Sequence, residues 1–239
     1  INGNTMSIKE YFQWISNGKL TYINLIPKKP YRAPENKAYY SPENSTGYTF
    51  TILQPVVENA LNSYSKEVDG FDLSDISFRR INYWAVNVMY AGECPSTWSK
   101  GLWPHKGAVQ FNLRDSRIKS GSYQGYVVFP CTSDISNSQF VHESFHLILD
   151  AIDFYPYDSH HDNTAEKYNV ADEFKTNTKR NPPFPNPFIM DDVGWLTNKI
   201  VLNDLKEGTK VELEYGPGNA AVYYGEGDSE DERFYIEIR

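Results

Sequence analysis

"SNSQFVHESFHLILDAIDFY" (residues 136–155) constrains the fold more than any other stretch of the sequence. Ser136 and Gln139 have the spacing of a capping box, which marks the beginning of a helix. Apolar residues then recur at helical spacing along one face, at Val141, Phe145, Ile148, Leu149 and Ile152. We therefore predict a helix over about residues 137–153 with one buried face.

The predicted helix carries the pattern H-E-x-x-H at residues 142–146. Side chains four residues apart lie one above the other on a helix, so His142 and His146 can bind one metal ion. A carboxylate beside zinc-bound water can accept its proton while the water attacks a carbonyl group, and Glu143 has the position for that role. The pattern predicts a zinc metallopeptidase. The alternative is that both histidines are hydrogen-bonded polar residues on a half-exposed helix.

A catalytic zinc ion usually has three protein ligands and one open position, so a third ligand is expected. In one common arrangement a glycine lies three residues past the second histidine and the ligand lies six past it. This chain has Leu149 and Ile152 at those positions, and Asp153 follows one residue later. We predict Asp153 as the third ligand. The other candidates lie further along the chain, with Glu166 second and then His160 and His161.

We interpret the rest of the chain as one unit of the size of a catalytic domain, with a short β-rich segment at its C-terminal end. Apolar residues at helical spacing predict a helix within residues 49–67, and β-type runs predict strands at residues 83–91, 107–113 and 125–130. Strand-like runs also alternate with turns towards the C-terminus. We predict a catalytic domain of residues 1–197 and a β-rich extension of residues 198–239 packed on it.

Composition excludes several classes of partner. The net charge is −8 and basic residues are not clustered, which argues against a nucleic-acid or anionic-membrane partner. The sequence has no apolar stretch long enough to span a membrane.

The chain begins with Ile1 and has no signal-peptide pattern, so we interpret it as a trimmed product. Cys94 and Cys131 fit one disulfide in an oxidising compartment, and two buried free thiols are the alternative.

Five further stretches occur in the order found in a known family: "YWAVNVMYAGE", "GLWPHKG", the zinc helix running into "DFY", "PFIMDDVGWL" and "RFYIEIR". Over roughly residues 83–239 the chain resembles the secreted metallopeptidases of the immune inhibitor A type. The resemblance implies that His142 and His146 bind zinc, that Glu143 is the general base and that Asp153 is the aspartate of the motif after the helix. It implies that Met190 lies beneath the metal, although ordinary core is the alternative.

The combined prediction is a zinc-dependent endopeptidase with an α+β, zincin-like catalytic domain that acts on a protein or peptide substrate outside the cell. The bound peptide is expected beside an edge strand, either "GYVVFP" or "GAVQFNL". The alternative function is an inactive binding domain that keeps the metallopeptidase fold. His105 is expected to pack a loop. The acidic "GEGDSEDER" is expected to be a solvated hairpin tip, with a calcium loop as the alternative. Asp191 and Asp192 either bind calcium or cap a helix.

Overall fold

The computed structural model describes residues 6–43, 46–47, 50–71, 84–94, 100–114, 124–131, 137–153, 182–225 and 232–239. The chain forms two compact units, which we call the terminal unit (residues 1–23 and 136–239) and the middle unit (residues 24–135). Helices and small mixed sheets occur together, so the predicted α+β class is confirmed. The predicted boundary between residues 197 and 198 falls inside the terminal unit and stays a prediction.

The middle unit contains three helices and three strands among its described residues. The helices are α2 (Lys37–Tyr40), α3 (Phe50–Ser63) and α4 (Lys66–Asp69), and the strands are β1 (Trp84–Ala91), β2 (His105–Val109) and β3 (Gln124–Cys131). Strand β3 lies in the centre of the sheet, parallel to β1 and antiparallel to β2. The core is formed mainly by apolar residues of α3 and of the sheet, including Leu53, Val57 and Val128.

The strand order corrects one prediction about substrate binding. "GYVVFP" belongs to β3, and a strand that is paired on both sides has no edge to offer a peptide. The other candidate, "GAVQFNL", begins in the edge strand β2, but its far end is already occupied. Side chains of α3 bond the backbone there: Gln54 donates to the carbonyl of Gln110, Glu58 accepts from the N–H of Asn112, and Asn62 accepts from the N–H of Arg114.

The terminal unit joins the two ends of the chain around one core. In the part of this unit that the structure describes, the helices are α1 (Ile8–Ile15), α5 (Asn137–Leu149) and α6 (Pro187–Asp192), and the strands are β4 (Asn198–Val201), β5 (Asn219–Tyr224) and β6 (Arg233–Ile236). A capping box between Ser7 and Glu10 begins α1. The buried side chains come from all three helices and their flanks: Tyr11, Phe12, Ile15, Val141, Phe145, Phe184, Ile189, Met190 and Trp195. Burial of these side chains fixes α5 from one side.

The C-terminal sheet packs on the segment around α6. Its strand order is β4-β5-β6, with β4 parallel to β5 and β5 antiparallel to β6. Asp191 accepts hydrogen bonds from Lys199 and from the hydroxyl of Tyr235, both at 2.8 Å. Arg239 donates to the carbonyls of Phe184 and Pro185. The Asp191 carboxylate therefore has a structural role in joining sheet and helix, and calcium binding is not needed to explain it.

Two other predictions concern the cysteines and the membrane. Cys94 and Cys131 are free thiols and form no disulfide, but Cys94 is only half-buried and Cys131 is exposed, so the two buried thiols of the alternative are not found. Burial is the largest influence on the Cys94 thiol and raises its pKa, which lowers its reactivity at neutral pH.

In the described part of the chain, no helix is both long enough and apolar enough to cross a bilayer.

Candidate metal centre

Helix α5 carries two buried histidines whose rings meet edge to face. Val141 and Phe145 are almost fully buried in the core of the terminal unit. His142 and His146 lie one turn apart, with ring centroids 4.5 Å apart and ring planes nearly perpendicular. Their relative exposures are only 8% and 7%, so the half-exposed helix face of the alternative reading is not what the structure has. The spacing of the two histidines therefore brings both imidazoles into one sheltered place.

The predicted end of the helix is wrong by four residues. Helix α5 ends at Leu149, because Asp150 adopts a left-handed backbone conformation with φ of 52°. The chain turns back there and does not continue to residue 153. Ile152, expected on the buried face, is 72% exposed, whereas Ile148 and Leu149 pack against the core as expected.

The reversal brings Asp153 to the two histidines. Its Oδ1 atom lies 2.9 Å from Nε2 of His146 and 3.2 Å from Nε2 of His142. The two Nε2 atoms are 3.1 Å apart. Tetrahedral zinc with bonds of about 2.0–2.1 Å separates its ligand atoms by about 3.3 Å. The three atoms are therefore spaced almost as ligands of one zinc ion would be.

The hydrogen bond on the far side of the His146 ring decides which nitrogen can bind a metal. Nδ1 of His146 lies 2.7 Å from the carbonyl oxygen of Ala151. A carbonyl oxygen only accepts, so Nδ1 carries the proton. A neutral imidazole has one N–H group, which leaves a lone pair on Nε2, the atom that faces His142 and Asp153. This backbone contact orients His146 in the way that metal-binding histidines are commonly oriented.

The chemistry of the cluster favours a cation at its centre. An imidazole lone pair and a carboxylate oxygen 2.9 Å apart repel each other unless a proton or a metal ion lies between them. Both groups are largely sheltered from water, which makes an uncompensated carboxylate costly. Two imidazole nitrogens and one carboxylate oxygen are ligands that suit zinc, and three ligands leave a position for water. Among the described residues, His142, His146 and Asp153 are the group of this kind.

The remaining predicted site residues lie in different surroundings. Glu143 is half-buried, one residue after His142 on α5. Met190 is 1% exposed and belongs to the same core cluster as Val141 and Phe145, which agrees with the reading of ordinary core. Its carbonyl accepts from the N–H groups of Trp195 and Leu196, closing a tight turn after α6. The candidates Glu166, His160 and His161 and most of "GEGDSEDER" lie outside the described residues.

His105, expected to pack a loop, has that role in the middle unit. Nδ1 of His105 donates to the carbonyl of Trp103 at 2.5 Å, and Nε2 accepts from the hydroxyl of Tyr126 at 3.1 Å. Burial lowers the pKa of His105 and keeps the ring neutral. Gly107 makes room for this pair, since a Cβ atom there would lie 2.4 Å from the Tyr126 ring.

Comparison of the chain with models of protein families, with curated proteins and with solved structures finds no match.

Proposed function

We propose that this protein is a zinc-dependent endopeptidase with a zincin-like catalytic domain, as its resemblance to the immune inhibitor A type implies. The observation that carries the proposal is the convergence of three metal-binding atoms, Nε2 of His142, Nε2 of His146 and Oδ1 of Asp153, within 3.2 Å of one another. The proton on Nδ1 of His146 supports it, because the hydrogen bond to Ala151 directs the lone pair towards the other two ligands.

The proposed mechanism divides the work between the ligands and Glu143. Zinc, when bound, would supply a Lewis acid that polarises the scissile carbonyl and lowers the pKa of water. His142, His146 and Asp153 would hold the ion. Glu143 accepts the proton of the attacking water and delivers it to the leaving amine. Hydrolysis then needs no covalent intermediate with the protein.

The expected substrate is a peptide bond within a protein or peptide chain, and the proposed place of action is extracellular. Both statements rest on the resemblance.

Metal content and proteolysis test the proposal together. Elemental mass spectrometry is expected to find about one zinc per chain in the wild type and far less in His146→Ala, because a site that loses one of three ligands binds weakly. Casein cleavage by the zinc-loaded wild type is expected, with a loss of at least about 100-fold in Glu143→Ala, which lacks the base. Glu212→Ala is the matched control, since Glu212 is an exposed glutamate of the same unit.

Each outcome separates the candidate functions. Wild type that binds no zinc after reconstitution contradicts the metal centre and the peptidase with it. Zinc that is bound without casein cleavage favours the alternative of an inactive binding domain that keeps the metal. Equal activity in Glu143→Ala and Glu212→Ala would show that Glu143 is not the base.

A further inference from the structure

The metal ligands lie on both sides of a chain reversal at Asp150. The N–H of Asp150 still donates to the carbonyl of His146 at 3.0 Å, as the next residue of a helix would. Its φ of 52°, however, is left-handed, a conformation that few residues other than glycine adopt and that aspartate tolerates better than most. Its side chain is exposed, and its backbone conformation sets the direction of the residues that follow.

A right-handed residue at this position would remove the third ligand. If α5 continued, Asp153 would lie seven residues beyond His146 and about 10.5 Å further along the helix axis. In the structure its Oδ1 atom is 2.9 Å from Nε2 of His146. The carbonyl of Ala151, which bonds Nδ1 of His146 at 2.7 Å, also depends on the same reversal.

We propose that Asp150 is a positioning residue of the metal centre, because its left-handed backbone sets both the Ala151 carbonyl that orients His146 and the Asp153 carboxylate. This inference rests on the proposed zinc binding. It also explains the one-residue difference from the arrangement that has a glycine three residues past the second histidine and a ligand six past it. In this chain the left-handed residue lies four past His146 and the ligand seven past it, so their separation is unchanged.

Substitutions at Asp150 separate its backbone conformation from its side chain. Asp150→Val is expected to weaken zinc binding roughly tenfold, because a β-branched residue disfavours the left-handed conformation by about that factor. Asp150→Gly removes the same carboxylate but adopts the conformation without strain, so it is expected to keep the wild-type affinity. If Asp150→Val does not fold, Asp150→Ala gives the same test with an expected loss of about fivefold.

Asn17 offers a matched control. It also has φ of 52° and follows the end of a helix, α1, but it belongs to no group of metal ligands. Asn17→Val introduces the same backbone strain and also removes a hydrogen bond to the carbonyl of Trp195. It is expected to lower the unfolding temperature while zinc affinity stays at the wild-type value.

The measurements are zinc affinity by competition with a chromogenic chelator, the visible absorption spectrum with Co²⁺, and thermal unfolding with chelator present. Asp150→Val is expected to bind zinc weakly and to lose the intense bands of tetrahedral Co²⁺, and Asp150→Gly to restore both. Equal zinc affinity in wild type and Asp150→Val, with only the unfolding temperature changed, would overturn the positioning role alone. Wild type that binds neither ion would overturn this role and the proposed function together.

Discussion

The buried histidines of the two units differ in how their ring nitrogens are used. His105 in the middle unit and His146 in the terminal unit are sheltered to a similar degree. Both nitrogens of His105 have neutral partners within its own unit, Trp103 and Tyr126. Among the described residues, Nδ1 of His146 has the Ala151 carbonyl as its partner, while Nε2 faces a second imidazole and a carboxylate. Burial alone therefore does not distinguish a structural histidine from a metal ligand, whereas the direction of the lone pair does.

The largest expected effect is the loss of zinc binding on removal of the third ligand. Asp153→Ala is expected to lower zinc affinity by more than about 100-fold, since even residues that only support a ligand commonly contribute 10-fold to 100-fold. Chelator competition measures this, with Asp192→Ala as the control because Asp192 is an exposed aspartate of the same unit. An unchanged affinity in Asp153→Ala would make one of the candidates outside the described residues the third ligand.

The next effect concerns the stability that zinc adds to the terminal unit. A ligand that binds only the folded state at 100 times its dissociation constant adds about 2.7 kcal/mol to the free energy of unfolding. Amide hydrogen exchange of α5 peptides is expected to slow accordingly when zinc is added to the metal-free protein. His146→Ala is the control and is expected to show no change. Exchange that is unaffected by zinc in wild-type α5 would mean that the cluster does not bind the ion.

A smaller effect is expected from the loss of the hydrogen bond that Tyr126 donates to His105. Tyr126→Phe keeps the ring that stacks on Phe50 and removes only the hydroxyl that donates to Nε2. A buried acceptor that loses its partner costs about 1–3 kcal/mol, and urea unfolding is expected to show that loss with zinc content unchanged. Tyr39→Phe provides the control, since Tyr39 is exposed in the same unit. A change in zinc content in Tyr126→Phe would contradict the division of roles between the histidines.

Local sequence patterns predict the individual helices and strands, whereas their arrangement in the fold depends on contacts between distant segments. The period of apolar residues predicted α5 and the histidine pair, and the β-type runs fell close to β1, β2 and β3. The central place of β3 depends on contacts between distant segments that periodicity does not encode. The packing of α1 with α5 joins residues more than a hundred positions apart, and neither helix sequence indicates which helix it packs against.

The candidate site shows the same limit at closer range. His142, Glu143 and His146 follow from a five-residue pattern, whereas Asp153 could be chosen among its rivals only by spacing and by the family resemblance. The apolar residues Leu147, Ile148 and Leu149 continue the helical period towards Ile152. The sequence pattern therefore predicts a helix that extends beyond the observed end of α5. Aspartate is compatible with a helix, so the sequence gives no strong signal that the backbone of Asp150 is left-handed. A glycine at this position would have given that signal. The Ala151 carbonyl was missed because a backbone group has no side-chain signature.

The smallest effect is the pH dependence that His105 gives to the middle unit. Burial lowers its pKa below the ordinary value of 6.5, so the unfolded chain binds the proton more readily than the folded one. Neutral His105 therefore contributes its full stability above the ordinary pKa, and that contribution falls as the pH drops below it towards the folded pKa. Hydrogen exchange of β2 and β3 peptides, corrected for the intrinsic exchange rate, is expected to show less protection below about pH 6 than near pH 7.5. In His105→Gln, which does not titrate, the same comparison is expected to be flatter. Equal pH dependence in the two proteins would mean that another group controls the stability of this unit, and that burial does not keep His105 neutral.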